Sequence, residues 1–265
     1  MPNFGLSTTG AFRAFKNRNY RLFFTGQGLA FTGMWMQQVA LGWLVYRLTN
    51  SALMLGLVAF AGLFPSVLTA PLAGWLCDRF EKKRIIIAAD IALGMSAFCL
   101  AALAFYGIIR PWHIILVNTV IAAAGGFEMT TRHSLVPDIV EDKRDLMNTI
   151  SLNSAMFNAA RLIGPVAAGA IVAAAGEAAC FAAYGLGNIA AVAAISAIRT
   201  RPQKKCASKN PVEGLKEGAG YSLANKPILN SMIMLSLVCF FGMSCFVLLP
   251  AYARDILGGG PHTLG

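Results

Sequence analysis

The sequence predicts an all-α protein that crosses a lipid bilayer several times. Apolar residues make up 57% of its 265 positions, charged residues make up 13%, and the mean hydropathy is +0.61. These values lie outside the range that is typical of soluble domains. Seven apolar runs are each long enough to cross a bilayer as a helix, and the charged residues concentrate in the short segments between them.

The seven predicted spans follow one another with few intervening residues. Their boundaries are 22–46, 52–76, 85–107, 112–131, 147–175, 178–198 and 228–250. The first run is too long for a removable signal peptide and lacks a small-residue cleavage site, so we interpret it as a span. Tight external turns at 47–51, 108–111 and 176–177 join the first six spans into one unit.

The basic residues predict the orientation. With the N-terminus in the cytoplasm, eighteen lysines and arginines fall in cytoplasmic segments, whereas Arg47, Arg110 and Arg254 fall outside and Arg161 lies within a span. Basic residues favour the cytoplasmic side of a membrane protein, so this bias predicts a cytoplasmic N-terminus. The net charge of +10 is confined to segments that flank apolar spans, and it therefore does not indicate a nucleic-acid partner.

Four segments follow from this pattern. They are a cytoplasmic N-terminal segment (1–21), a six-span bundle (22–198), a basic linker (199–227) and a seventh span with an external tail (228–265). Residues 212–223 of the linker are a candidate surface helix on the cytoplasmic side. The six cysteines include no close pair, and the three histidines lie at span ends or in the tail, so no metal site or cofactor is predicted.

A short charged turn separates the second and third predicted spans. Residues 74–84 read Gly-Trp-Leu-Cys-Asp-Arg-Phe-Glu-Lys-Lys-Arg. We expect Gly74 to let the helix end approach a neighbour, and Asp78 to accept bonds from helix-end amides or to pair with the arginines. The basic residues hold the turn at the cytoplasmic face, and they are Arg79, Lys82, Lys83 and Arg84. The alternative is a generic basic hairpin between two membrane helices.

The spacing of this turn resembles the loop between spans 2 and 3 of the major facilitator superfamily, roughly Gly-x-Leu-Ala-Asp-Arg-x-Gly-Arg-Lys. The residues that match are Gly74, Leu76, Asp78, Arg79, Lys82 and Lys83, whereas Cys77 and Glu81 depart from the pattern. The resemblance implies two six-span halves with a substrate site between them near the midplane. On that pattern the chain is the N-terminal six-helix bundle plus the first helix of the second half, and we expect it to be a truncated product or a fragment.

The fifth predicted span carries a second motif. Gly164 and Pro165 with Ala168 and Gly169 resemble the Gly-Pro-x-x-Gly-Gly core of a span-5 motif that is associated with exporters of this superfamily. The small residues Gly164 and Ala168 lie four positions apart on one face of the helix, which permits close contact between helices. The surrounding sequence, with residues 132–140, is similar to the bacterial branch that contains the enterobactin exporters. Ordinary helix packing around a proline kink is the alternative for the motif itself.

The same span presents one polar stripe. At 100° per residue, five residues fall within a sector of about 80°, namely Ser151, Ser154, Asn158, Arg161 and Pro165. Arg161 lies close to the bilayer midplane, where a charge is costly unless it faces a cavity or a partner. It is a candidate contact for an anion or a substrate, or a partner for a carboxylate that titrates. A structural arginine bonded to helix carbonyls is an equal alternative.

The first predicted span carries a mixed polar and aromatic face. Gln27 and Gln38 are about 20° apart around the helix, and with Phe31 and Trp35 they form a surface suited to an amphipathic organic molecule. Asn118 in the fourth span is expected to line the same cavity. The alternative for these polar residues is hydrogen bonding between packed helices.

Two acids lie well inside the predicted spans. Asp90 and Glu128 are each one to two turns from the cytoplasmic end, and Glu128 can pair with Arg132 four residues later. We favour a cytoplasmic latch in which Glu128, Asp78 and the nearby arginines hold one conformation. The alternative is that Asp90 or Glu128 is the carboxylate that couples transport to protons.

The resemblance and these residues together predict a secondary transporter of the bacterial inner membrane. It would export a small amphipathic compound, such as a drug-like molecule, a siderophore or a metabolite, in exchange for protons. The alternative is a truncated, non-transporting membrane scaffold or sensor that keeps half of the transporter fold. An enzyme is not predicted, because no catalytic pair such as Ser with His lies at membrane depth. The 265-residue chain alone is expected not to transport as a monomer, and to pair with a second half-transporter or with itself.

Overall fold

In the computed structural model, the described residues are 15, 17–139, 143–198 and 211–260. They form eight α-helices and no strand, which confirms the predicted all-α fold. The helices are α1 (Arg18–Thr49), α2 (Ala52–Arg79), α3 (Lys82–Phe105), α4 (Pro111–Ile139), α5 (Lys143–Ala175), α6 (Glu177–Ala197), α7 (Pro211–Ala224) and α8 (Lys226–Asp255). Most of the predicted N-terminal segment and residues 199–210 of the predicted linker lie outside the described residues.

Six of the described helices are long and apolar enough to cross a membrane, namely α2 to α6 and α8. Helix α1 is not among the six, although seven spans were predicted from the sequence. It contains 32 residues and is about 48 Å long, which exceeds the hydrocarbon thickness. Polar residues such as Gln27, Gln37 and Gln38 lower its hydropathy, and the first two of these are buried inside the bundle.

Several helices extend further than the sequence predicts. Only Phe80 and Glu81 separate α2 from α3, so the chain reverses within two residues rather than about eight. Helix α4 ends at Ile139 rather than at residue 131, which places Glu128 about three turns from its end. Arg132 therefore lies within a helix and not in a cytoplasmic loop. A hydropathy profile ends the fourth span before Arg132, because it treats a charged residue as exposed to water. In the structure the charge of Arg132 is buried against neighbouring helices, so the helix continues.

The first six helices form a bundle with two closely packed pairs. Helix α1 packs along α6, and α2 packs along α4. Helix α3 contacts both α4 and α6 and so joins the two pairs, while α5 packs on the other side of α1. One apolar cluster, around Leu44, Leu100 and Phe181, fills the end near the α3–α4 turn. A second cluster, around Phe23 and Leu135, fills the opposite end, and polar residues lie between the two.

Glycines set the close approach of α1 to α6 and α5. A methyl group built on Gly33 would lie 2.7 Å from the Cα atom of Tyr184 in α6, and one on Gly187 would lie 2.8 Å from the carbonyl oxygen of Leu29. On the other side of α1, a methyl group on Gly164 would lie 2.5 Å from Cβ of Trp35. Small residues therefore allow backbone contact along both faces of α1, as is common in membrane helices.

The other small or kinking residues of the two sequence motifs differ in how closely they pack against neighbours. Gly169 is buried and Pro165 is half-buried, both in the continuous helix α5. A methyl group on Gly74, by contrast, would meet no atom within 4 Å among the described residues. The expectation that Gly74 lets the end of α2 approach a neighbour is therefore wrong for the described part of the chain, where this glycine faces open space.

Two lysines at the start of α3 tie three helix ends together. Lys82 Nζ donates to the carbonyl oxygen of Ser134, at 2.9 Å, and forms an ion pair with Asp138 in α4, at 2.7 Å. Lys83 Nζ donates to the carbonyl oxygens of Ser196 and Ile198, at 2.7 and 2.9 Å. These carbonyls end α6, and a cation at that position also interacts favourably with the helix dipole.

The other charged residues of the turn are more exposed. Arg84 pairs with Glu81 at 2.7 Å, and the guanidinium of Arg79 lies 4.1 Å from the ring centroid of Trp75. Asp78 is exposed and makes no ion pair within the part of the chain that the structure describes. This corrects the expectation for Asp78: the partners of the basic cluster are Asp138, Glu81 and helix carbonyls.

The opposite end of the bundle is held by contacts of α1 with α6 and α8. Arg47 Nη2 lies 3.2 Å from Glu177 Oε2 at the start of α6. The hydroxyl group of Tyr46 donates to Asp255 near the end of α8, and the side chain of Pro250 packs near Gly42. The most apolar stretch of α8 contains no buried residue among those described, so only the last turns of α8 pack on the bundle.

Replacing Gly33 by alanine should destabilise the bundle. The added methyl group meets the backbone of Tyr184, which cannot rotate away. We expect a loss of about 1–3 kcal/mol from overpacking, seen as a lower melting temperature of the purified protein in detergent. Gly56→Ala is the matched control, because a methyl group there meets nothing within 4 Å and alanine is favoured in a helix by about 0.5–1 kcal/mol. Equal melting temperatures for the two variants would contradict the proposed α1–α6 contact.

Candidate substrate and coupling site

A cluster of three charged side chains is buried between α3 and α4. Asp90 in α3 is 1% exposed, and Glu128 and Arg132 in α4 are each 6% exposed. Arg132 Nη2 lies 4.0 Å from Asp90 Oδ1, and the same guanidinium pairs with Glu128 one turn earlier on α4. Two carboxylates therefore share one guanidinium, and we refer to Asp90, Glu128 and Arg132 as the buried charge cluster.

The buried charge cluster is incompletely hydrogen-bonded. Neither carboxylate oxygen of Asp90 has a hydrogen-bond partner among the described residues, and Arg132 Nε also lacks one. With all three groups ionised, the cluster carries one negative charge more than its guanidinium balances. Buried charge is costly unless it is paired and fully hydrogen-bonded, so this cluster is a candidate for binding a proton or a polar ligand.

A row of rings and cations runs from this cluster across α1 to α5. The guanidinium of Arg132 lies 4.8 Å from the ring centroid of Phe31, whose ring meets that of Phe157 at 5.1 Å. Phe157 meets Trp35 at 5.7 Å, and the guanidinium of Arg161 lies 5.6 Å from the Trp35 ring. These five residues, which we call the cation–aromatic row, place two arginines at opposite ends of three packed rings.

Arg161 ends this row in a half-buried position. Its guanidinium lies 5.6 Å from the rings of both Trp35 and Phe246, the latter in α8. It makes no ion pair within the described residues. The rings of Trp35 and Phe246 therefore flank this guanidinium within the described residues.

The polar stripe of α5 is largely bonded to its own helix. The amide of Asn158 is exposed and donates to the carbonyl oxygen of Ser154 at 2.8 Å. The hydroxyl groups of Ser151 and Ser154 bond in the same way to the carbonyls of Met147 and Ile150. Such back-bonds satisfy polar groups where no water is present. Asn158 lies exposed on the surface of α5, one turn before Arg161.

The two glutamines on the predicted face of α1 differ in exposure. Gln27 is 2% exposed, and neither its amide nitrogen nor its oxygen has a hydrogen-bond partner among the described residues. It precedes Phe31 by one turn and so lies at the level where the cation–aromatic row begins. Gln38 is exposed, one turn after Trp35. The indole N–H group of Trp35 is buried and has no acceptor within the described residues.

Asn118 does not belong to this site. Its side-chain amide donates to the carbonyl oxygen of Val58 at 2.9 Å, and the residue is buried between α2 and α4. This corrects the expectation that Asn118 lines a cavity with the glutamines of α1. Its carboxamide instead joins two packed helices, which is the alternative that the sequence left open.

Sequence reasoning missed three residues that the structure brings to functional positions. Phe157 links the two halves of the cation–aromatic row, Phe246 covers Arg161, and Asp138 pairs with Lys82. Phe157 lies one turn before Arg161, so it shares a face with the polar stripe and was detectable by spacing. Asp138 and Phe246 are brought in by tertiary packing, which the helical period of one segment does not reveal.

Comparison with known proteins agrees with this architecture. A major facilitator family model, described as transmembrane secretion effector, matches residues 9–265. The staphyloferrin A transporter of Staphylococcus aureus is 31% identical over 156 residues, which cover 58% of this chain and 38% of that protein. Macrolide efflux protein A of Streptococcus pyogenes is 22% identical over 253 residues, with 93% of this chain and 62% of that protein covered.

A third relative is the multidrug efflux pump Tap of Mycolicibacterium fortuitum, which is 25% identical over 229 residues. The match covers 82% of this chain and 55% of the pump. The chain thus spans between 38% and 62% of the length of these three relatives. The family and the relatives are transporters and not enzymes. The chain therefore belongs to the major facilitator superfamily, in the family described as transmembrane secretion effector.

Proposed function

We propose that this chain is part of a proton-coupled secondary transporter that exports a small amphipathic compound. The observation that carries the proposal is the buried charge cluster, which the cation–aromatic row connects to the surface of α1 and α5. An intramembrane cluster with two acids and one arginine is typical of a proton pathway. The row offers aromatic and cationic contacts that suit an amphipathic molecule.

Proton binding gives the cluster two charge states. With Asp90 and Glu128 both ionised, the cluster carries one excess negative charge in a dry environment, and one bound proton makes it neutral. Since Arg132 also contacts Phe31 in α1, a change in its pairing alters a contact of the neighbouring helix. A ligand that binds the two states unequally shifts the balance between them, which is the requirement for coupling.

The membrane potential supplies part of the energy. A proton that moves inward across the membrane contributes about 2.3 kcal/mol for each 100 mV. This contribution reaches the substrate only if proton binding and substrate binding affect the same conformational equilibrium. The cation–aromatic row provides the physical connection between the two sites.

We propose the coupling role in place of the latch that the sequence favours. Glu128 is buried beside Asp90, whereas Asp78 is exposed at the end of α2, so the two acids do not form one latch. The contacts of Lys82 and Lys83 are all made within the six-helix bundle. They are therefore suited to keeping the ends of α3, α4 and α6 together while the bundle moves as a unit.

Export by alternating access requires a second bundle. Transporters of this superfamily bind substrate between two helical bundles that rock against each other. We propose that α8 belongs to such a second bundle and that the division into a bundle (22–198), a linker (199–227) and a second part (228–265) reflects it. A second half-transporter or another copy of the chain would supply the opposite wall.

We also propose a bacterial inner-membrane location with the N-terminus in the cytoplasm. Moving Arg132 from the predicted loop into α4 leaves seventeen basic residues on the proposed cytoplasmic side against three outside. That bias still favours the proposed orientation. The lysine contacts of α3 would then lie on the cytoplasmic side, and the pair of Arg47 with Glu177 on the external side.

The functional proposal predicts gradient-driven accumulation in inside-out vesicles from cells that express the gene encoding this chain. The test panel includes a macrolide and staphyloferrin A, and the vesicles are made acidic inside. We expect accumulation of at least one compound, which a protonophore abolishes. Asp90→Asn should lower the accumulation ratio about tenfold or more, since each 1.4 kcal/mol of lost coupling changes a ratio tenfold. Exchange of substrate without a gradient should persist, because substrate contacts are retained.

Glu217→Gln is the control for this experiment, because Glu217 is an exposed acid on α7 outside the bundle. It should accumulate substrate as the unmodified protein does. Unchanged gradient-driven accumulation in Asp90→Asn would contradict the coupling role. Absence of accumulation for every compound, at normal abundance in the membrane, would favour a scaffold or sensor instead.

The proposed orientation predicts the location of reporter domains fused along the chain. Fusions after Arg84 and after Lys205 should be cytoplasmic, and a fusion after Gly176 should be external, because the basic segments remain inside. Activity of a reporter that works on only one side of the membrane measures the location. An external reporter at either of the first two positions would overturn the orientation.

A further inference from the structure

We propose that Trp35, Phe157 and Arg161 form a binding site for an organic anion. The ligand class is a flat apolar or aromatic body that carries a carboxylate or a comparable anionic group. The inference names the substrate class of the transport function proposed above, and so it rests on that function. It is argued from the charge and hydrogen bonding of the described residues around Arg161.

Arg161 carries a charge that no described acid balances. Its guanidinium is half-buried, contacts two aromatic rings and makes no ion pair or hydrogen bond within the described residues. The sequence explains this, because α1 contains no acid, α5 contains none from Met147 onward, and α8 contains none before Asp255. A guanidinium in such a setting pairs most strongly with a carboxylate, whose two oxygens can accept hydrogen bonds from two of its N–H groups.

Arg161 forms no hydrogen bond within the part of the chain that the structure describes, which argues against a purely structural role. A structural arginine at membrane depth is paired with helix carbonyls or with a carboxylate, as Arg132 is paired with Asp90 and Glu128. The two arginines thus lie at opposite ends of the same row of rings, one with carboxylates and the other with none among the described residues. An anion can therefore bind at the Arg161 end of the cation–aromatic row.

The rings next to Arg161 provide the apolar part of the site. Phe157 meets Trp35 edge to face, with an angle of 66° between the rings, and Trp35 is half-buried. A flat ligand that stacks on Trp35 would keep its charged group close to Arg161. The buried indole N–H of Trp35 has no acceptor among the described residues, so a small tilt of the ring would present a second donor.

The charge of Arg161 also discriminates against organic cations. The acids within the membrane-spanning part of the described helices are Asp90 and Glu128, and both lie next to Arg132. A cationic ligand stacked on Trp35 would meet the like charge of Arg161 without a nearby carboxylate to offset it. Charge complementarity at the site therefore favours an anion over a cation of the same shape.

The test compares two probes with one aromatic body and opposite charges, 2-naphthoate and 2-naphthylmethylammonium. Their binding to the purified 265-residue chain is measured by calorimetry in nanodiscs of uncharged phosphatidylcholine. We expect naphthoate to bind at least about tenfold more tightly than the ammonium probe, in line with the strength of a charge-assisted hydrogen bond. This comparison uses the unmodified chain and does not depend on how any variant folds.

Variants then assign the preference to Arg161. Arg161→Gln should weaken naphthoate binding about ten- to hundredfold, whereas Arg161→Lys, which keeps the charge but not the paired donors of the guanidinium, should weaken it less. Arg110→Gln is the matched control, because Arg110 is an exposed arginine in the α3–α4 turn and should have no effect. Trp35→Phe should weaken both probes, since it alters the stacking surface that they share, and should weaken naphthoate more, because it also removes the indole N–H donor.

Three results would overturn the inference. They are binding of neither probe, equal or tighter binding of the ammonium probe, and an Arg161→Gln variant that binds naphthoate as the Arg110→Gln control does. The assay needs no proton gradient and no transport. Loss of gradient-driven export with intact naphthoate selectivity would therefore contradict only the proposed transport function, and the reverse result would contradict only the anion site.

Discussion

Arg132 is buried where α3, α4 and α1 meet, and its charge constrains how these helices pack. Asp90 reaches it from α3, Glu128 pairs with it along α4, and the ring of Phe31 covers it from α1. Removing one partner of a buried ion pair costs about 3–5 kcal/mol, because the remaining charge is left uncompensated. The three helices therefore have to keep their relative positions as long as these groups are charged. A change in the charge of the cluster, such as the binding of a proton, changes that constraint directly.

The close contacts of α1 place this cluster and the proposed anion site on one connected surface. Gly33 and Gly187 bring α1 against α6, and Gly164 brings α5 against Trp35. With α1 held from both sides, the rings of Phe31 and Trp35 stand in a fixed order between the arginines of α4 and α5. Polar side chains on α1 are tolerated because part of the helix faces other helices and not lipid. This explains why α1 is long enough to span a membrane but is less apolar than its neighbours.

The sequence was sufficient for the all-α membrane fold and for local pairings, but not for contacts between distant segments. Helical spacing predicted that Glu128 and Arg132 can pair, and the structure forms this pair. Hydropathy ended the fourth span near Arg132, because a sequence profile assigns charges to water and cannot show that α3 supplies Asp90 as a partner. For the same reason, the sequence indicates the adjacent Asp78 as the partner of the basic turn, whereas Asp138 of α4 pairs with Lys82. The sequence places Asn118 at a cavity, because periodicity identifies the face of a helix but not the helix that this face meets; the structure bonds it to Val58 of α2.

We propose that the buried charge cluster binds one proton. Infrared difference spectroscopy of the protein in lipid films measures this directly, because a protonated carboxylic acid has a carbonyl stretch that a carboxylate lacks. We expect one such band to appear as the pH is lowered, to be lost in Asp90→Asn or Glu128→Gln, and to be retained in the Glu217→Gln control. A spectrum in which no buried carboxylic acid changes its protonation at any pH at which the protein stays folded would contradict proton binding by the cluster.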